Sequence, residues 1–329
     1  MPSILVLGAG ELGLPVLTAL ARHPVHTASP SSTPITVLLR PSAITASASS
    51  EKKALTAHLR TDLRISLLPG DVAASTTSEL AALFQPFDIV ISCSGMTYPP
   101  GTQLKLAKAV FEANTARERK EAGRGIWYFP WQFGIDYDAI GRGSAQDLFN
   151  EQLDVRDLLR AQKEVRWTIV STGMFMSFLF EEAFGVVSKD WSKVTALGSK
   201  ENEITVTSVE DIGRMVAEMV MTDELEGERE SGIVYTVGAT GSLRGLAYGL
   251  MKVTGKEVLV EEVPLEVLKE ELKEAEEGGN EAEVGLRKYR VVFAEGKGVS
   301  WPAESCWGRQ RGMEMKGVRP WAEEHYSRR

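Results

Sequence analysis

Residues 3–16 read SILVLGAGELGLPV, and the fold follows from them. The run at 3–7 is short and nearly all apolar, the pattern of a strand covered on both faces in a parallel sheet. Gly8, Gly10 and Gly13 come next at the G-x-G-x-x-G spacing. There the first glycine makes a tight turn and the second lets backbone approach a pyrophosphate. The third allows helix and strand to pack closely. From Glu11 the spacing of Leu12, Val16, Leu17 and Leu20 is helical. Pro15 is tolerated because first-turn amides have no internal acceptors. Such a strand, turn and helix aim free N–H groups and the positive end of a helix at an anion. Gly8, Gly10, Glu11, Leu12 and Gly13 are therefore candidate dinucleotide-binding residues; a glycine-rich turn without a ligand is the alternative.

The second strand, ITVLL at 35–39, ends in Arg40-Pro41-Ser42, with no carboxylate before Glu51. At this place an Asp or Glu accepts from the ribose 2′-OH of NAD, whereas an Arg accommodates the 2′-phosphate of NADP. The expected cofactor is NADP(H), with Arg40 as phosphate clamp and Ser42 beside it. Lys52 and Lys53 could reinforce the phosphate site, but a solvated helix face is the favoured reading for them. Further strands are expected at 65–68, 87–92, 126–129 and 165–171, with helices at 51–62, 78–84 and 101–120 between them. Alternation of this kind gives an α/β fold, a Rossmann doubly wound parallel sheet with helices on both faces. Ligands in such sheets gather beyond the carboxyl ends of strands. Ser94, Gly95, Pro130 and Trp131 join the cofactor candidates on that ground.

The segment 130–138, PWQFGIDYD, also follows a strand end and mixes aromatic with polar side chains. Trp131, Gln132, Phe133 and Tyr137, with Met174 and Phe175 after the sixth strand, are the substrate-binding candidates. Ser144 reads as the cap of a helix to about residue 162, with Asp147 as its acidic partner. Ser208-x-x-Asp211 starts another helix, and Asp211 reads as structural. Residues 189–200 read as a strand and turn outside the main sheet, and 233–237 as a returning strand. The acidic stretch 264–277 reads as a solvated helix without function, and 278–298 as partly loop. Trp301, Trp307 and Trp321 require that part of the tail dock or line a pocket. The expected division is a cofactor domain at 1–173 with 205–240 returning to it. Residues 174–204 and 241–329 then form a smaller C-terminal α+β substrate lobe.

Composition narrows the class. The 329 residues are 43% hydrophobic and 25% charged, with a net charge of −8. That is ordinary for a globular protein and disfavours nucleic-acid or membrane-surface binding. No apolar run is long enough to span a bilayer, and the first strand begins without a leader, so a cytoplasmic location is expected. Cys93 and Cys306 make no disulfide framework. His23, His26, His58 and His325 show no metal-ligand spacing and read as surface residues, so no metal is expected.

VLGAGELG at the start, a strand ending in Arg40, YFPWQFG at 128–134 and SVEDIGRMVAE at 208–218 carry a family likeness. Together they resemble the NmrA-like branch of the short-chain dehydrogenases, and within it the isoflavone reductase and phenylcoumaran benzylic ether reductase group. The resemblance covers most of the chain and weakens after about residue 278. It implies a Rossmann domain binding NADP(H) and a smaller substrate lobe. Those reductases have FPSEFG where this chain has FPWQFG. They carry a lysine in F-x-x-K-x-x-V-R, and the matching segment here, Phe149 to Arg156, holds Gln152 at that place. A lysine ammonium can hand on a proton; a glutamine amide can only hydrogen-bond.

Two readings follow. In the first the protein is an NADPH-dependent oxidoreductase acting on an aromatic or alkaloid-like small molecule in secondary metabolism. It would reduce C=O, C=C or C=N, or assist a redox cyclisation, as a monomer or homodimer. Gln152 would orient substrate or cofactor, and Tyr137 or Asp147 would donate the proton. An iminium, already cationic, suits a site without lysine. In the second reading the protein is a non-catalytic NADP(H) sensor that binds a protein partner.

Overall fold

The computed structural model describes residues 2–30, 33–45, 47–95, 98–118, 125–223 and 231–326. Its strands in chain order are β1 (Ile4–Leu7), β2 (Ile35–Leu39), β3 (Ser66–Pro69), β4 (Ile89–Ser92), β5 (Trp127–Phe129), β6 (Arg166–Ser171), β7 (Met174–Phe175), β8 (Lys193–Leu197), β9 (Glu203–Thr207), β10 (Gly232–Tyr235), β11 (Ala239–Ser242) and β12 (Leu259–Val263). Seven of them form one sheet in the order β10-β6-β5-β4-β1-β2-β3. The registered pairs β1–β2, β1–β4, β2–β3, β4–β5 and β5–β6 are all parallel. Strand order reverses at β1, so the switch point of this Rossmann-type α/β sheet lies past the carboxyl ends of β1 and β4.

The apolar runs expected from sequence are buried on both faces. Leu5, Leu7, Val90, Tyr128 and Ile169 pack with Leu80, Phe84, Leu106, Val110, Val155 and Leu159 from the helices Thr77–Phe84, Thr102–Glu118 and Leu148–Arg160. Successive strand residues point to opposite faces, so Ile4, Val6, Ile89 and Ile91 look the other way. They are also 0% exposed, and the helix Gly13–Arg22 buries Val16, Leu17 and Leu20. Thr76 caps the Thr77–Phe84 helix in a reciprocal box with Glu79. The expected end of the helix at 101–120 lies partly outside the described residues.

By compactness the chain divides into 1–132, 154–169 and 212–233 as one unit, and 133–153, 170–211 and 234–329 as the other. The expected boundary at 173 differs, because Tyr137, Phe149 and Leu153 bury themselves in the core of the second unit with Met174 and Phe184. In that unit β9 sits between β11, antiparallel, and β7, parallel, while β8 and β12 form a separate parallel pair. The stretch 278–298, expected to be partly loop, is mostly the helix Glu281–Glu295. Gly279, with φ of 71°, ends the preceding helix, and the Asn280 side chain accepts from Glu283 N–H to start the next.

Two smaller expectations are corrected. His26, read as a surface residue, is 6% exposed, inside the short helix Pro24–Ala28. Ser144 does not cap a helix: its Oγ donates to Gln146 O, and the helix begins at Leu148. Asp211 does accept its cap role, donating its N–H to Ser208 Oγ at 3.2 Å, and its carboxylate also receives Lys316 N–H at 2.6 Å. Trp301, Trp307 and Trp321 are buried, as the sequence required.

Candidate functional site

The turn after β1 is tight because glycine permits it. Gly8 has φ of 92°, and its N–H donates to Leu38 O at 3.1 Å, prolonging the ladder with β2. A Cβ on Gly13 would stand 2.2 Å from Gly8 O, so the helix can start there only without a side chain. A Cβ on Gly10 would meet nothing within 4 Å. The protein leaves that space open, as a backbone that must approach a phosphate requires. The helix beginning at Gly13 leaves its first amides without intrahelical acceptors at this same turn.

A cleft of about 320 Å³ opens beside the turn. Gly8 and Gly10 line it with Arg40, Lys52, Ser94 and Gly95, and Leu38, Val72 and Tyr98 supply apolar wall. Ser94 Oγ donates to Leu7 O at 3.2 Å, and Gln103 Nε2 donates to Ser94 O at 3.1 Å, which fixes the loop after β4. A Cβ on Gly95 would stand 3.3 Å from the Trp131 ring, so that indole lies against the loop. Arg40 and Lys52 are the charged lining residues among those described, and no carboxylate among the described residues lines the cleft. Burial pushes the Cys93 thiol, also in the lining, well above its ordinary pKa, so it stays neutral. The electrostatics therefore favour a polyanion. Lys52 departs from the favoured solvated reading: its side of the Ser50–Ala57 helix lines the cleft.

Other cofactor candidates stand around the cleft rather than on it. Leu12 and Pro130 are buried, Glu11 is exposed, and Ser42 is exposed in the short helix Pro41–Ile44. Among the substrate candidates, Gln132 is 0% exposed and accepts Arg156 Nε at 2.7 Å, a wholly buried pair that braces β5. Phe133 and Met174 are buried, and Phe175 is half-buried. Tyr137 is 2% exposed, with its ring 4.9 Å from Phe149, and a Cβ on Gly134 would stand 2.5 Å from its hydroxyl. Gln152, 2% exposed, lies one turn along the helix from Phe149. Asp147 is placed apart from these buried residues, with its side chain 69% exposed and paired with Lys288 Nζ at 2.6 Å. Sequence reasoning passed over Tyr289, whose ring lies 5.7 Å from Phe149 in the same aromatic cluster. Among the described residues no group of three His, Cys, Asp or Glu could hold a metal ion.

The chain matches the NmrA-like family over residues 2–301. It is 44% identical over 318 residues, 96% of each chain, to an NmrA-like family domain-containing oxidoreductase of Gibberella moniliformis (strain M3125 / FGSC 7600). The protein belongs to the NmrA-like family. Solved structures similar to this NmrA-like chain include an isoflavone reductase at 19% identity and TM-score 0.75, covering 98% of this chain and 99% of that one. AtPrR2 with NADP+ and (+)-pinoresinol is similar at 18% identity and TM-score 0.74, covering 98% of each. A leucoanthocyanidin reductase with NADPH from Vitis vinifera gives 17% and 0.73, covering 99% of each. These likenesses show that the NmrA-like chain has the reductases' fold. No helix among its described residues is long and apolar enough to cross a membrane.

Proposed function

We propose that this NmrA-like protein is an NADPH-dependent oxidoreductase acting on an aromatic or alkaloid-like small molecule. The observation that carries the reading is that Arg40 and Lys52 both line the cleft beside the Gly8–Gly10 turn, with no carboxylate among its described lining residues. Two cations there suit a 2′-phosphate, and the open space over Gly10 suits a pyrophosphate. The oxidoreductase relative and the coenzymes recorded with structures of the same fold support this choice.

Bound coenzyme would supply a hydride, so the protein's work is to hold, orient and protonate. The glycine turn and the first helical amides hold the pyrophosphate, while Arg40 and Lys52 hold the third phosphate. Gln152 stands where the reductase group has lysine; its amide orients a carbonyl or imine and transfers no proton. Tyr137 is the proton donor of this reading, held by Phe149 against Gly134. Asp147 is engaged with Lys288 at the surface, and we assign it no proton transfer. A substrate that is already cationic, such as an iminium, needs the least from an acid.

Gln152 also favours a second reading, a sensor that binds NADP(H) and a protein partner without turnover. The two separate by experiment. Loss of reduced-nicotinamide absorbance is followed against aromatic ketones, enals and cyclic imines. Turnover that falls in Tyr137→Phe supports the enzyme. Tight coenzyme binding with no turnover, together with unequal affinity for NADP+ and NADPH, supports the sensor.

A further inference from the structure

The second unit contains a cavity of about 300 Å³ that the oxidoreductase reading leaves unused. We propose that it binds a small aromatic acid, a flat apolar ring system carrying one anionic group. Its walls are Leu179, Ile204, Val206, Leu243, Leu246 and Val318. Ile204 and Val206 stand two apart on β9 and so face the same way. Apolar walls with few polar groups, at the small end of ligand-pocket volumes, suit one or two fused rings. An α-helix, about 10 Å across with its side chains, is too large to enter.

The glycines in the wall have no conformational reason to be there. Gly241 lies on β11, and Gly245 and Gly249 lie one turn apart in the helix Leu243–Thr254. None has a positive φ, and a Cβ on Gly241 or Gly249 would meet nothing within 4 Å. Glycine in a helix interior is weaker than alanine, so the fold is not served by it. What these positions do is leave the cavity wall without side chains.

The polar groups of the lining divide into engaged and available. Thr240 Oγ1 donates to Trp301 O at 3.0 Å and pairs with Thr205 Oγ1 at 2.7 Å. Ser242 Oγ accepts Gly245 N–H at 3.1 Å. Arg319, in the helix Val318–Tyr326, donates through Nε to Glu323 at 2.8 Å, with its side chain 63% exposed. Its Nη groups have no partner among the described residues. Glu323 is itself 48% exposed, so solvent screens this pair and leaves the guanidinium able to take a ligand anion. A carboxylate at Arg319 with its rings on the Gly245–Gly249 wall satisfies both halves of the site.

Calorimetric titration of the full chain with 2-naphthoate and with 2-naphthol, each with and without saturating NADPH, tests this. One site is expected, unaffected by NADPH. Arg319→Gln should weaken naphthoate about five- to tenfold and naphthol less than about twofold, the size of a lost charge-assisted hydrogen bond. Gly249→Leu should abolish both while the melting temperature holds. Gly241→Val, which fills the cavity from the strand side, gives an independent plug should the helix variant misfold. No binding to the wild-type chain, binding displaced by NADPH, or binding unchanged in both plugs would each overturn the site. The oxidoreductase reading survives any of these results, because NADPH binding is measured in the same titrations.

Discussion

In the function proposed above, Arg40 and Lys52 set the preference between the two nicotinamide coenzymes. Arg40→Ala should weaken NADPH about 10- to 100-fold, the loss of a charge-assisted phosphate contact, and leave NADH within about twofold. Lys52→Ala should act the same way at about three- to tenfold, because a flexible ammonium gives fewer fixed hydrogen bonds than a guanidinium. Equal losses for both coenzymes in either variant would remove the clamp. Arg40 was legible in the sequence because it ends a strand, where position alone fixes its place in the fold. Lys52 was not, since which side of a helix faces a cleft is decided by tertiary packing. The buried Gln132–Arg156 pair escaped for the same reason: neither residue type announces burial. His26 escaped too, and it has a consequence in acid. Burial, the largest influence on it, pushes its pKa below the ordinary value. A histidine that binds its proton less well when folded stabilises the fold fully above the unfolded pKa, about 6.5, and loses that stability as pH falls below it. Melting temperatures at neutral and mildly acidic pH should fall less for His26→Gln than for wild type; equal falls would clear His26 of the effect.

Elements were legible where one residue pattern dominated. The buried strands β1, β2 and β4 and the Ser208 cap came directly from apolar runs and a capping spacing. The helix Glu281–Glu295 did not. Gly285 and a run of charges hide a stripe that buries Val291, Val292 and Phe293. Its charges are in fact engaged: Arg287 and Arg290 both reach Glu271 on the neighbouring helix Leu265–Gly278. That makes part of the acidic stretch a packing surface rather than wholly solvated. The family-like segment at 208–218 has a packing reason of its own. A Cβ on Gly213 would stand 2.7 Å from the Pro15 backbone, so the helices Val209–Glu218 and Gly13–Arg22 meet closely only because no side chain intervenes. Gly213→Ala should cost about 1–3 kcal/mol by overpacking. Thermal melting that shows no loss would mean the helices separate freely. Asp211→Ala removes the acceptor of Lys316 N–H and should speed proteolytic cleavage around residues 309–316. A digestion pattern unchanged from wild type would contradict the anchoring role.

For the molecule as a whole, the Rossmann sheet was readable from one fourteen-residue stretch, whereas the division into units was not. Segments of each unit interleave along the chain, because the residues after β5 find their apolar partners in the second core. Such partners lie far away in sequence, and no local pattern records them. Function follows the same gradient. The proposed phosphate clamp begins with Arg40 at a strand end, whereas the proposed substrate residues are side chains whose neighbours only folding supplies. The most direct test is therefore calorimetry of the full chain with NADPH and NADH, for wild type and Arg40→Ala. One NADPH should bind per chain, NADH at least about tenfold more weakly, and the difference should shrink at least about tenfold in Arg40→Ala, with any remainder owed to Lys52. No heat with either coenzyme, or a preference for NADH that survives the substitution, would contradict a phosphate-gripping dinucleotide site.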